Sequence, residues 1–571
     1  MKKHPRLVNL YTPEGEELKN QPTGFTPWNI YPRPRLKRDS FFCLNGEWDF
    51  SVAGSEEKIL VPFVPESVLS GIGRAMPKGD KLCYKKSFSL PHDFIKSRTI
   101  LHFGAVDQIA EVYLNGAFLG LHVGGYSGFS FDITDHLKEE NTLEVFVTDL
   151  LDGILPYGKQ CEKRGGMWYT PTSGIWQTVW LESLPERYIT DVKVASDKDG
   201  ATISISMSDG SRASGWVVLG NKYFWMSGGE IRICPDEPVL WSPENPHLYD
   251  FTVKVGSDEV KSYFALRSLE IKDSRLCLNG KPYFFHGLLD QGYFSDGIFL
   301  PADPCGYERD ILTAKKLGFN MLRKHIKVEP EIFYYYCDKL GIAVFQDMVN
   351  NSDYSFMRDT ALPTIGIKSL DDKKLHRNEK SREAFLSAMD ETVSSLSFHP
   401  SVCYWTIFNE GWGQFDHASA FERLKRIDST RFVDSVSGWF TPKKASELRS
   451  DLESFHVYFK PVKLKKADGK PIVLSEFGGY SYKVEGHSFN LDNNYGYRTL
   501  PTQKEFEDAL EKLYMSEILP AIKENGLSAA VYTQLSDVED ETNGLMTYDR
   551  RVIKANEALM LSIAARLKGE N

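Results

Sequence analysis

Between Tyr283 and Asp537 eight short apolar segments recur: YFFHGLL, NMLRKHI, IAVFQDM, CYWTIFNE, FVDSVSG, SFHVYF, IVLSEFGG and AAVYTQLSD. They are rich in β-branched and aromatic residues and hold few polar positions, the composition of strands covered on both faces. Between them run amphipathic stretches such as ERDILTAKKLG, EPEIFYYYCDKLG, SREAFLSAMDETVSSLSFHP and QKEFEDALEKLYMSEILPAIKENG, with apolar residues at helical spacing. Eight strand–helix units within residues 269–571 predict a (β/α)8 barrel. Such barrels keep their chemistry at the carboxyl ends of the strands, so polar residues there are the first candidates.

The preceding residues follow another rhythm. From Phe41 to Glu182 short alternating runs (LNGEWDFSV, AEVYLNGAFLG, NTLEVFVTD, IWQTVWLE) are broken by Asn-Gly and Gly-rich turns, which predicts an antiparallel sandwich. A smaller run of the same style, from ITDVKVAS to VKSYFALR, has the size of an immunoglobulin-like module. A chain of 571 residues is too long for one core, and we divide it into a β-sandwich (1–186), an immunoglobulin-like β-sandwich (187–268) and the barrel (269–571).

A net charge of −10 argues against a nucleic-acid partner. The start, MKKHPRLVNLYTPEGEELK, lacks the apolar core of a secretory signal, and no segment has the roughly 18 apolar residues of a membrane span. A cytoplasmic protein without membrane contact is expected. The eight cysteines (43, 83, 161, 234, 277, 305, 337 and 403) form no CxxC pair and read as buried thiols, not a zinc site or disulfide framework.

Two carboxylates stand out at strand ends. Glu410 follows the fourth strand and Glu476 ends the seventh, so both project over the same rim. Either alone reads as a helix cap or an ion-pair partner. Together they match the needs of glycoside hydrolysis, in which one carboxyl protonates the leaving oxygen and the other attacks, or activates water, at the sugar carbon. Asn409 is placed to bond a sugar 2-hydroxyl, and Trp439, Tyr458 and Tyr480 offer aromatic walls.

The motifs TIFNEGWGQFD and VLSEFGGYSY resemble the acid/base and nucleophile motifs of glycoside hydrolase family 2, which includes β-galactosidases, β-glucuronidases and β-mannosidases. The resemblance covers nearly the whole chain. FFCLNGEWDFSV, VYLNGAFLGLHVGGYSGFSFDIT and YTPTSGIWQTVWLE look like the family's jelly-roll-like sugar-binding sandwich, and VLWSPENPHLY like the end of its immunoglobulin-like domain. The resemblance implies a retaining exo-β-glycosidase with Glu410 as acid/base and Glu476 as nucleophile, a glycoside as substrate, no cofactor, and a homo-oligomer. Some family galactosidases bind magnesium and sodium; Asp347, Asp353 and Glu539 are individually too weak to assign a metal here.

The sugar is less constrained. Family glucuronidases grip the sugar carboxylate with an Asn-x-Lys element, and Glu541-Thr542-Asn543 stand in its place. Terminal β-D-galactosides, or a galacto-configured relative, are the first expectation. The alternative is a β-hexuronidase, galacturonidase or glucuronidase, built on the basic run LRKHIK. Alternation puts Arg323 and His325 on one face and Lys324 on the other. Arg323 then either holds the nucleophile ionised, or the cluster of Arg323, Lys324, His325 and Lys327, with or without Lys163 or Arg164 from the sandwich loop, binds a sugar carboxylate. Further candidates at strand ends are Asp290, Asp347, His456, Gln534 and Asp537, and Trp168 or Tyr169 from the sandwich. A second alternative is a carbohydrate-binding protein without turnover.

Overall fold

A computed structural model of the chain describes residues 6–364, 367, 371–442 and 445–569. The expected barrel is there. Its strands are β1 (Phe285–Asp290), β2 (Met321–Lys324), β3 (Ala343–Asp347), β4 (Val402–Asn409), β5 (Phe432–Ser437), β6 (Glu453–Val457), β7 (Ile472–Gly478) and β8 (Leu527–Thr533). They pair in parallel in the order β5-β4-β3-β2-β1-β8-β7-β6, and the seam between β5 and β6 carries no ladder pairing. All eight residues of β4 are buried, as its composition requires of a strand packed on both faces. One face carries Phe285, Met321, Phe345 and Tyr404 into the barrel interior, while Leu288, Leu322 and Val344 on the other face pack under the helices.

The first sandwich packs a four-stranded sheet on a six-stranded one. Its strand Asn141–Thr148 alternates buried and half-buried positions, the period-two pattern of a sheet with one covered face. Trp48 and Tyr84 are wholly covered between the sheets. The second sandwich packs three strands on four around Val192, Ile203, Val217 and Val253.

The start of the chain departs from the expected division. Helix Pro13–Lys19 docks on the barrel, where Asp296 accepts hydrogen bonds from the Thr12 N–H (2.8 Å) and hydroxyl (2.7 Å). Lys37 then bridges to Lys261 of the immunoglobulin-like unit before the chain enters the first sandwich. These residues form no strand of either sandwich, so hydrophobic alternation does not report their place. The thiols also differ from expectation. All eight are free, but only Cys277, Cys337 and Cys403 are buried; Cys234 and Cys305 are exposed. Among the described residues no helix is long and apolar enough to cross a membrane.

Candidate active site

Two local irregularities aim the carboxylates. Glu410 leaves β4 in a left-handed conformation (φ +51°), followed by Gly411 at φ +72°, with its N–H donating to the Ser437 carbonyl at 2.8 Å. A non-glycine residue held there is strained, and the surrounding hydrogen bonds hold it in place. In β7 an extra residue, Ser475, slips the pairing so that Glu476 stands opposite His456. A bulge of this kind re-aims a side chain at the rim.

The result is a compact network. His456 Nδ1 lies 2.7 Å from Glu410 Oε1 and 3.5 Å from Glu476 Oε2. Oxygens of the two carboxylates and this nitrogen lie within 4.8 Å of one another, close to the roughly 5 Å separation of a retaining pair. The other His456 nitrogen, Nε2, is 3.1 Å from Ser437 Oγ. Tyr458 Oη donates to Glu476 Oε2 and sits 3.1 Å from Thr533 Oγ1. Arg323 spreads its guanidinium over Asp347 Oδ1 (3.0 Å), Glu476 Oε1 (3.1 Å) and Asn409 Oδ1 (2.8 Å). His325 Nδ1 closes the chain on Asp347 Oδ2 at 2.7 Å.

The surroundings keep Glu476 charged. Burial pushes the Glu476 carboxyl up, but His456, Arg323 and His325 together with the Tyr458 hydroxyl outweigh it and hold it down to about 2. Burial likewise opposes the charge on Asp347, and Arg323 and His325 overcome it. Glu476 is thus a fixed, wholly buried anion, whereas the Glu410 side chain keeps 22% of its surface open. Among the described residues Glu410, His456 and Glu476 form the one set of three His, Cys or carboxylate groups close enough to ligate a common metal ion.

Most of the residues expected from sequence converge on this network: Asn409, Arg323, His325, Asp347, His456 and Tyr458 join Glu410 and Glu476. Trp439 lies beside it, its ring 5.8 Å from that of His456. Four candidates lie elsewhere. Asp290 is on the opposite face of its strand and pairs with Lys324 at 2.6 Å, behind the barrel wall. Gln534 spends its amide on Gln291, Glu541 and Asn543. Tyr480 lies beneath the Arg498 guanidinium rather than against the carboxylates. Asp537 is an ion-pair partner of Lys554 at 2.7 Å. The basic run is likewise committed internally: Lys324 and Lys327 both reach Glu329, and Arg164 pairs with Glu539 at 3.1 Å.

The first sandwich reaches over the mouth through residues 153–173. Tyr157 Oη donates to the Ser352 carbonyl (2.7 Å) and Asn351 Nδ2 to that of Ile154 (2.7 Å). Tyr169 Oη donates to Glu541, and the Thr170 N–H to Glu539 (2.8 Å). At Gly158 (φ +70°) a β-carbon would fall 2.9 Å from the Ile326 carbonyl, so only glycine allows this approach. The loop brings Trp168 edge-on to Trp412, ring centres 4.7 Å apart, and to Tyr354 at 4.9 Å.

Two residues of the mouth escaped the sequence reading. Tyr497 stacks on Tyr458 at 3.7 Å with an interplanar angle of 7°. Lys159, also in the sandwich loop, is buried over the Trp412 ring. Neither lies at a strand end, and no periodicity marks them. A separate cleft of about 990 Å³, walled by His102, His122 and Glu391 among others, lies between the first sandwich and helix Glu379–Leu396, and neither catalytic candidate lines it.

Sequence comparison matches residues 269–557 to "Glycosyl hydrolases family 2, TIM barrel domain", residues 72–185 to "Glycosyl hydrolases family 2, sugar binding domain" and residues 187–267 to "Glycosyl hydrolases family 2". A β-galactosidase of Thermoanaerobacter pseudethanolicus is 24% identical over 439 residues, covering 71% of this chain and 54% of the relative. The chain spans about half or less of the length of the curated relatives it matches. Among solved structures, a β-D-glucuronidase of Dictyoglomus thermophilum superimposes with TM-score 0.72 at 19% identity, covering 95% of this chain and 99% of that one. A family 2 β-galacturonidase of Eisenbergiella tayi bound to galacturonate does so with TM-score 0.67 at 19% identity, covering 94% and 99%. At these identities the likeness is one of fold.

Proposed function

The chain belongs to glycosyl hydrolases family 2, and on that premise we propose that it is a retaining exo-β-glycosidase acting on terminal β-linked hexopyranosides. The observation that carries the reading is the Glu410–His456–Glu476 grouping within 4.8 Å. Glu410, the open carboxyl, delivers its proton to the glycosidic oxygen as the aglycone leaves. Glu476 attacks the anomeric carbon and forms a glycosyl ester. Its ester carbonyl stays within reach of Arg323 and Tyr458, which hold the carboxylate between turnovers. Glu410, now without its proton, takes one from water, and the hydroxide equivalent releases the sugar with its β configuration retained.

Asn409 gains an orientation from the same network. Arg323 occupies its amide oxygen, so the NH2 arm is left to donate to the sugar. The sandwich loop, with Trp168 against Trp412, closes one side of the mouth, which supports a pocket for a chain end over an open groove.

Two sugars remain in view. The β-D-galactoside reading is supported by curated relatives of that name and by Glu541-Thr542-Asn543 in place of Asn-x-Lys. The β-hexuronide reading no longer draws on the run around Arg323, whose cations are paired within the protein; Lys159 favours it instead, for the reason given below. The intact pair of carboxylates speaks for turnover rather than binding alone.

The test is a screen of aryl β-glycosides differing only at C4 and C6, followed by a 2-deoxy-2-fluoro glycoside of the preferred sugar. Stoichiometric inactivation with the added mass on the peptide holding Glu476 is expected. Labelling of another residue would remove Glu476 from its role.

A further inference from the structure

Lys159 presents a buried charge with no visible purpose. It is 7% exposed, and its Nζ lies 5.6 Å from the ring of Trp412, two residues beyond Glu410. Among the described residues nothing hydrogen-bonds or ion-pairs with its ammonium group. Of the other cations named in and around the mouth, Arg323 is spent on Asp347 and Glu476, Lys324 and Lys327 on Glu329, and Arg164 on Glu539, while Lys163 is exposed to solvent. The stem is buried while the ammonium keeps contact with open space above the Trp412 ring, so an anion entering the mouth can dock against it.

The loop holds this charge in place. Gly158, immediately before it, is locked against the barrel by its close approach to Ile326, and Gln160, immediately after, donates to Asp107 (3.0 Å) and accepts from the Thr172 N–H (2.6 Å). The Lys159 carbonyl itself accepts from the Tyr169 N–H at 3.0 Å. The side chain therefore projects from a fixed point toward the mouth, where its field reaches His325 and Glu541. Glu541 forms no ion pair with it. That carboxyl takes hydrogen bonds from Tyr169 and Gln534 instead, and burial pushes it up toward the uncharged form.

We propose that Lys159 is a specificity-determining residue that pairs with the C6 carboxylate of the sugar in the catalytic pocket, so that a domain outside the barrel selects hexuronides over neutral hexosides. The proposal rests on the glycosidase reading above for its substrate, and adds the residue and the charge that choose it. A single ammonium offers point-charge recognition without the fixed fork of arginine, so it tolerates either configuration at C4.

The test compares the full chain with Lys159→Met and Lys159→Arg on aryl β-D-galacturonide, β-D-glucuronide and β-D-galactoside. The wild type should favour a uronide over the galactoside by at least about tenfold. Lys159→Met should lower the ratio of uronide to galactoside kcat/KM by roughly 100-fold, mainly through KM, with Lys159→Arg recovering part of it. Because the methionine removes an uncompensated charge, its melting temperature should not fall; a fall of several degrees would mark Lys159 as structural and overturn the proposal. Equal losses on charged and neutral sugars, or a wild type that prefers galactoside, would also overturn it.

Calorimetry with free D-galacturonate separates this idea from the glycosidase reading. Binding by wild type and by Glu476→Gln that is lost in Lys159→Met upholds Lys159 even if no glycoside is cleaved, whereas hydrolysis without such binding sinks Lys159 and leaves the glycosidase standing.

Discussion

Arg323 Nη1 stands 3.1 Å from Glu476 Oε1, while the same guanidinium reaches Asp347 and Asn409. One planar group thus fixes Glu476, the proposed nucleophile, together with Asp347 and the amide of Asn409 beside Glu410. Lysine carries the same charge but cannot make three directed contacts in one plane. We expect Arg323→Lys to lower kcat/KM on the order of 100-fold or more. Glu476 is held low partly by Arg323, so weakening that contact raises its pKa, and the acid limb of the kcat/KM profile should move to higher pH. A pH–rate profile with an unmoved acid limb would show that Arg323 does not set the ionisation of Glu476.

Glu410 meets His456 at 2.7 Å but keeps an open flank, which suits the proton-donor role proposed for it. Glu410→Ala should therefore discriminate by leaving group. Aryl glycosides with strongly acidic phenols need no protonation and should lose on the order of tenfold in the first step, while alkyl glycosides lose on the order of 1000-fold or more. Azide should rescue the second step and yield a β-glycosyl azide, detected by mass spectrometry; an α-azide would contradict retention.

How far the chain could be read follows from what sets each side chain's direction. The strands were legible because both faces of a barrel strand are covered, and β4 is buried along its whole length. Period-two alternation then separated Arg323 and His325 from Lys324, and the folded strand turns the first two inward. The same alternation fails at strand ends when the register is unknown. Asp290 looked like a rim residue, yet it shares the outer face with Lys324 and binds it. Tyr480 lies beyond the Gly478-Gly479 turn, which redirects the chain and carries the ring to Arg498. Tyr497 and Lys159 come from loops far from the strands they serve, and only the folded chain brings them together.

Trp168 tests the role of the sandwich loop. Its ring meets Trp412 and Tyr354 at the rim beside Glu410, the proposed proton donor to the aglycone oxygen. Trp168→Ala should raise KM for disaccharides and bulky aryl glycosides on the order of tenfold, and less for methyl glycosides, since stacked aromatic contact is worth about 1 kcal/mol beyond burial. Equal effects on all aglycones would place the ring on the sugar side.

The loop also rests on buried acids. Glu66 accepts from the Ser173 N–H at 3.2 Å, Asp149 from the Ser173 hydroxyl at 3.3 Å, and Asp107 from Gln160. Burial pushes the Glu66 carboxyl up to about 8, against small opposing hydrogen bonds, with Asp149 and the Tyr84 hydroxyl nearby. A carboxyl whose folded pKa lies above its unfolded value of roughly 4.3 binds its proton more tightly in the native state. Its stabilising contribution is complete below that unfolded value and is lost as pH rises through about 8. The wild type should thus melt at lower temperature at pH 8.5 than at pH 5, with a difference in stability on the order of a few kcal/mol from this group. Glu66→Gln keeps an acceptor for Ser173 and cannot ionise, so it should flatten that dependence and gain on the wild type at the alkaline end. Melting curves that shift in parallel for both proteins from pH 5 to 8.5 would show that Glu66 carries no such charge penalty.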